Sequence, residues 1–163
     1  MNKKIKDSSQ VFLIKQGFTL VEVLLVIGII AILASVVIIA INPAKQLAQS
    51  RNTQRWSNVN TILNAIHQYA IDNKGTLPSG VTLVNQEICN NGVATTTCAS
   101  SVLADIRVLT DNETYFTAIP IDPSCPAVCN TNGVGYTVKK TNNGRIVVSA
   151  PDAELGEAIS VTR

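Results

Sequence analysis

The chain has 163 residues, of which 46% are hydrophobic, 15% are charged and 4% are aromatic, and its formal net charge is +2. The first 17 residues hold four lysines and one aspartate, a formal charge of +3, which leaves −1 for the other 146 residues. This distribution excludes a strongly basic domain. A single histidine, few aromatic side chains and no nucleophile or phosphate-loop motif argue against an enzyme.

A basic leader is followed by an almost uninterrupted apolar run. From Phe18 to Ile41 the only ionisable side chain is Glu22, and a charge within a membrane-spanning helix costs about 2.5–3.5 kcal/mol. Lysines before such a run place the N-terminus in the cytoplasm and the residues after Ile41 across the membrane. A secretory signal peptide instead has a shorter apolar stretch followed by its cleavage site. An alternative interpretation of Glu22 is a tolerated charge near the interface end of an ordinary membrane anchor.

The junction between leader and apolar run resembles the processing motif of type IV pilins and type II secretion pseudopilins. The residues that carry the resemblance are Lys15, Gly17, Phe18, Thr19, Leu20 and Glu22. The resemblance implies that a prepilin peptidase cleaves after Gly17 and methylates the new amino group of Phe18. It also implies a filament in which Glu22 pairs with the Phe18 amine of a neighbouring subunit, since a buried charge without its partner costs about 3–5 kcal/mol.

The fold that the resemblance implies is α+β, a long N-terminal helix packed on a small antiparallel sheet. The protein would be a homopolymer subunit without a cofactor, handled by the peptidase, an inner-membrane assembly platform and a motor ATPase. It would span the inner membrane once before assembly and then form a pilus on the cell surface. The alternatives are a pseudopilin in a periplasmic piston for protein export and a competence pilin whose exported domain binds DNA. A C-terminal calcium loop is typical of pseudopilins, whereas four cysteines favour a pilus.

We expect four segments along the chain: the leader at 1–17, a transmembrane or filament-core helix at 18–41, an amphipathic helix at 42–75 and an exported domain at 76–163. Proline removes a backbone donor and clashes with the preceding turn, so Pro43 predicts a helix kink or, alternatively, a plain helix end. The cation and glycine at Lys74 and Gly75 predict the end of the second helix.

Apolar residues recur at helical spacing along one face of the second helix. They are Trp56, Val59, Ile62, Leu63, Ile66, Tyr69 and Ala70. Arg51 and Arg55 are one turn apart and are interpreted as a solvated face, with a basic strip between subunits as the alternative. His67, the only histidine, is interpreted as a satisfied surface residue.

Within residues 76–163, the segments 135–140 and 145–150 predict a hairpin closed by a glycine turn. A third strand is predicted at 115–119. Residues 102–109 fit either a short helix or a strand, and residues 76–101 predict an ordered loop.

All four cysteines lie in the part predicted to be exported, where oxidising conditions permit disulfides. Three pairings are open, and we favour Cys89 with Cys98 and Cys125 with Cys129, because each closes a short local loop. Zinc is the alternative, but the spacing between Cys89 and Cys98 is wider than in a zinc knuckle.

Charged loop residues suggest two further ligands. The acids Asp111, Glu113, Asp122, Asp152 and Glu154 lack the dense spacing of a calcium loop and are interpreted as solvated. The cations Lys139, Lys140, Arg107, Arg145 and Arg163 predict at most a small basic patch. Phosphate binding needs clustered cations, so the sequence argues against nucleic acid as a partner.

Overall fold

A computed structural model describes residues 17–163. The predicted leader therefore lies outside the described residues except for Gly17. The chain divides after Asn42 into two compact units. We call the second one, Pro43–Arg163, the globular unit.

The first unit contains helix α1, Leu20–Ile41. Thr19 caps its N-terminus, because the Thr19 hydroxyl oxygen accepts a hydrogen bond of 3.2 Å from the backbone N–H of Glu22. Apolar residues surround the helix on all sides, as in helices buried in protein or membrane. The helix ends at Ile41, and Asn42 is left-handed at φ 50° and ψ 79°.

Helix α2, Pro43–Asp72, begins the globular unit. Proline suits the first helical position, where its missing N–H leaves no bond unmade. The predicted apolar face is confirmed, since Val59, Ile62, Leu63 and Ile66 are fully buried. The helix ends directly before the predicted stop signals.

Four antiparallel strands form one sheet in the order β1-β2-β3-β4. They are β1 Gln86–Cys89, β2 Gly133–Lys140, β3 Ile146–Ala150 and β4 Ile159–Thr162. The predicted hairpin is confirmed as β2 and β3, and Gly144 supplies the positive φ of its turn. Helix α2 packs on β3 and β4, so the core lies between the helix and one face of the sheet.

The two edges of the sheet differ. On the outer side of β1, Ala104 forms a parallel bridge with Ile88, and its N–H donates to the carbonyl of Glu87. On the outer side of β4, no other strand among residues 17–163 is paired. Among residues 17–163, β4 is therefore the edge strand without a further partner.

The predicted third strand at 115–119 is wrong. These residues form bends after a 3-10 helix, Arg107–Glu113, and their apolar side chains Phe116 and Ile119 are buried without strand pairing. Residues 102–109 are neither one helix nor one strand, since Ala104 makes an isolated bridge before the 3-10 helix begins. The loop predicted at 76–101 contains β1 and a six-residue helix, α3, Thr95–Ser100.

Candidate functional site

The predicted cleavage position lies before α1, in non-helical backbone. Gly17 and Phe18 precede the capping residue Thr19, and the Phe18 side chain is 82% exposed. Exposed irregular backbone is where proteases cut most readily. The bond between Gly17 and Phe18 is thus open to a peptidase without unwinding the helix.

Glu22 lies in the first turn of α1, where the helix dipole favours a negative charge. Phe18 precedes it by four residues, about one helical turn. Within residues 17–163, no hydrogen bond or ion pair involves the Glu22 carboxylate, whereas the Glu22 backbone N–H donates to Thr19. The carboxylate is therefore available to a partner from another chain.

The apolar surface of α1 is uncovered within the subunit. Its leucine, isoleucine and valine side chains are between 47% and 83% exposed. Leu20–Ile39 is long and apolar enough to cross a membrane. The Ser35 hydroxyl donates to the carbonyl of Ile32 at 2.7 Å, so this polar group is satisfied within the helix. These properties fit a membrane-anchored precursor.

Pro43 interrupts the helical path as the first residue of α2. Asn42 leaves the helical region, and the two helices have separate ends. Asparagine tolerates the left-handed conformation better than most residues, which suits Asn42 to the end of α1.

Arg55 of α2 is fully buried, and its guanidinium pairs with the buried carboxylate of Asp122. The two bonds measure 2.7 and 3.0 Å. The same guanidinium donates to Ser124, Asn52 and, at 3.3 Å, Glu154. Arg55 and Asp122 were each predicted to be solvated. Both predictions are wrong, because the two side chains are buried against each other.

The loop between β3 and β4, residues 151–158, binds the same turns of α2. Arg51 donates to Glu154 at 2.6 and 2.7 Å, and Asn52 donates to Glu157 at 2.8 Å. The indole N–H of Trp56 also donates to Glu157. The bond from Arg51 lowers the pKa of Glu154, while burial raises the pKa of Asp152.

The remaining loop acids do not assemble a cation site. Asp122 forms an ion pair with Arg55, and Glu154 forms one with Arg51. Among residues 17–163, no group of three or more His, Cys, Asp or Glu residues is placed to hold a metal ion. His67 differs from its predicted satisfied state, since its Nε2 atom is buried without a hydrogen-bond partner in the described part of the chain.

Two disulfides close local loops, in the pairing favoured from the sequence. Cys89 is bonded to Cys98 and Cys125 to Cys129, with Cα–Cα distances of 5.8 and 5.4 Å. The first pair is fully buried with Leu103 beside it. The second lies against β2 at Gly135, where an added Cβ would stand 2.7 Å from the Cys129 sulfur.

The comparisons with known proteins match the N-terminal part of the chain. Residues 14–40 match the family model described as the prokaryotic N-terminal methylation motif. No curated protein and no solved structure matches. The methylation motif is the class III signal peptide of the type IV pilin and pseudopilin family.

The motif and the fold agree on the class of protein that they indicate. An apolar N-terminal helix, a second helix and a four-stranded antiparallel sheet form a pilin-like α+β architecture. The motif supports a type IV pilin-like or pseudopilin protein and indicates a structural subunit. The motif implies processing by a prepilin peptidase and assembly into a pilus-like polymer.

Proposed function

We propose that this chain is a prepilin, a structural subunit of a type IV pilus-like filament. Cleavage after Gly17 and methylation of Phe18 would precede polymerisation through α1. The observation that carries the proposal is the unpaired Glu22 carboxylate on the exposed apolar surface of α1.

The physical argument rests on charge burial. Packing α1 among copies of itself covers apolar surface but also removes Glu22 from water, which is costly for an unpaired ion. The amino group that cleavage creates on Phe18 has the opposite charge. Pairing the two between subunits removes both charges together and fixes the axial register of neighbouring helices.

Localisation and partners follow from this assembly. The precursor would span the inner membrane once, with its leader in the cytoplasm, and would be extracted by an assembly platform and a motor ATPase. The same motif also serves pseudopilins, which form a periplasmic piston. The two disulfides favour a pilus over that alternative. So do the ion pairs of Asp122 and Glu154 with arginines, because these acids then do not form the calcium loop that is typical of pseudopilins.

The test compares cells that carry the native chain or Glu22→Ala. Surface material is sheared, imaged by negative stain and analysed by mass spectrometry. We expect filaments whose subunit begins at methylated Phe18, and at least a tenfold loss of sheared subunit for Glu22→Ala, because about 3 kcal/mol of lost pairing exceeds the 1.4 kcal/mol of one decade.

Glu113→Ala is the matched control, since it removes an exposed carboxylate outside α1. This variant should assemble normally. A processed subunit confined to the membrane fraction would support the pseudopilin instead. An uncut N-terminus in the native chain would refute both assignments.

A further inference from the structure

The two disulfides differ in how well the fold covers them. Cys89 and Cys98 are fully buried beside the buried side chain of Leu103. Cys125 and Cys129 are only half-buried, and the three residues between them are exposed. A reagent in solution therefore reaches the second disulfide in the folded protein, whereas it reaches the first only when the surrounding structure opens.

An open cavity of about 270 Å³ lies beside the half-buried disulfide, and both of its cysteines line it. The other lining residues belong to the loop at 121–131, to Asn90 and to the start of β2, and none of these described residues is charged. Glu87 of β1 lies outside this lining, and its carboxylate is held by the N–H groups of Gly135 and Asn130. The cavity is smaller than the usual site for a drug-sized ligand, which suits a small reagent better than the active site of another protein.

The loop that this disulfide closes presents Asp122 and Ser124 to Arg55. Asp122 is joined to β2, because its N–H donates to the carbonyl of Val134 at 2.9 Å. The carboxylate of Asp122 accepts a bond of 2.8 Å from the N–H of Ser124, and its carbonyl accepts one of 3.0 Å from the N–H of Cys125. The turn that aims both side chains at the guanidinium therefore ends at Cys125.

The disulfide anchors the end of this turn to the sheet. Both sulfurs pack on Gly135 of β2, where an added Cβ would stand 2.7 Å from the sulfur of Cys129 and 3.3 Å from that of Cys125. Breaking the S–S bond would release Cys125 from this anchor. The ion pair with Arg55 would then have to hold the turn without the help of the crosslink.

We propose that the disulfide of Cys125 and Cys129 is a site of reversible exchange with a small thiol, and that exchange there weakens the contact between Asp122 and Arg55. A thiolate attacks one sulfur, forms a mixed disulfide with that cysteine and releases the other cysteine as a thiolate. A second thiol then attacks the mixed disulfide, and the two small thiols leave as their own disulfide. Their two electrons reduce the protein disulfide, and the two protons that they lose are taken up by the cysteines.

The disulfide of Cys89 and Cys98 is an internal reference for this reaction, because it belongs to the same molecule. Its exchange is slowed by the free energy needed to open the structure around it. Exposed disulfides are the ones that exchange readily, whereas covered ones resist reduction. Selectivity between the two pairs is therefore the direct consequence of their different burial.

The test uses the full chain in detergent micelles and reduced glutathione as the thiol. Samples are quenched with iodoacetamide at intervals, and peptide mass spectrometry locates the alkylated and glutathione-bound cysteines. Modification should appear at Cys125 and Cys129 at least about tenfold faster than at Cys89 and Cys98. Oxidised glutathione should then restore the native disulfide.

Thermal unfolding tests the link to the buried ion pair. Selective opening of the disulfide between Cys125 and Cys129 should lower the unfolding midpoint of the native chain by several degrees. The decrease should be smaller in the variant with Arg55→Leu and Asp122→Leu, since contacts that act together are not additive. Cys125→Ser with Cys129→Ser is the matched control, and its unfolding midpoint should not respond to glutathione over the same interval.

Three results would overturn the proposal. They are equal reaction rates at the two disulfides, an unchanged unfolding midpoint after selective opening of the pair Cys125 and Cys129, or an equal decrease in the variant with Arg55→Leu and Asp122→Leu. The first two are measured on the native chain, so they stand even if a variant does not fold. The readout needs no filament, so it is independent of the proposed pilus function.

Discussion

Gly135 shows how one position joins three parts of the globular unit. Its φ of +81° is a conformation that L side chains rarely adopt, and an added Cβ would stand 2.7 Å from Cβ of Asp122. The same Cβ would stand equally close to the sulfur of Cys129. Any side chain here would push the aspartate away from Arg55.

Gly135→Ala should therefore destabilise the protein more than a glycine substitution at similar φ in open space. We expect Gly144→Ala, at φ +82° with nothing nearby, to cost about 1–2 kcal/mol from backbone strain alone. Gly135→Ala should cost a further ~1–3 kcal/mol from overpacking. Denaturant unfolding of the full chain in micelles measures the free energy of unfolding of both variants. If Gly135→Ala and Gly144→Ala lost equal stability, the loop at Asp122 would be able to move without cost.

At the residue scale, the sequence predicted positions whose chemistry is local. Gly17, Phe18 and Glu22 lie within six residues, so their motif is legible without a fold. Arg55 and Asp122 are separated by 67 residues. The sequence around each of them did not lead us to predict that they pair with each other in the core. A signal existed in the spacing, since Arg55 precedes Val59 by four residues and Ile62 by seven, which places it in line with the predicted apolar face.

At the scale of elements, α2 is tied to two loops by its polar residues as well as by its apolar face. Arg55 binds the loop of Asp122 and Ser124, and Arg51 and Asn52 bind the loop of Glu154. The bond between Arg55 and Asp122 raises the pKa of Arg55, so the guanidinium stays charged in the core. These contacts fix where both loops lie on the helix.

Arg55→Leu should destabilise the globular unit by about 3–5 kcal/mol, because it leaves the Asp122 carboxylate buried without its partner. Arg51→Ala, which breaks a partly exposed pair, should cost much less, because solvent screens the charges of such a pair. Thermal unfolding of the full chain compares the two.

Adding Asp122→Leu to Arg55→Leu should recover much of the loss, since an apolar pair can replace a buried ion pair. If Arg55→Leu were as mild as Arg51→Ala, the buried pair would not be a main contact of the unit.

The sheet was predictable where strands are long and joined by a tight turn. Burial alternates along β3, a glycine turn joins it to β2, and both strands were predicted. Strands β1 and β4 have four residues each. The sequence of β1 does not alternate, and the alternation of β4 between Ile159 and Thr162 is too short to be a clear signal. Their pairing depends on contacts with β2, β3 and α2 that periodicity does not encode.

At the scale of the whole molecule, arginine pairs should make the globular unit sensitive to acid. Hydrogen bonds from Arg107 and Arg51 lower the pKa values of Asp105 and Glu154. Stability from such groups is present above their unfolded pKa values, near 4, and is lost as pH falls through the folded ones. Asp152 has the opposite sign, because its raised pKa opposes folding once it ionises.

We expect the midpoint temperature of thermal unfolding to decrease as the pH is lowered from 5 to 2. The double variant Asp105→Asn and Glu154→Gln should be less stable than the native chain at pH 7. Its unfolding midpoint should also decrease less between pH 5 and pH 2. Asp152→Asn should gain stability at pH 7. Parallel curves for the native chain and the double variant would show that these two carboxylates do not set the acid response.

The difference between the two edges of the sheet affects how subunits behave when they are packed closely together. A filament holds its subunits at very high local concentration, where any bare strand edge is a template for mispairing and aggregation. Ala104 covers β1, which leaves β4 as the exposed edge among the described residues. That strand is only four residues long, carries Ser160 and Thr162, and is followed by Arg163, features that discourage amyloid-like growth of neighbouring sheets into one another.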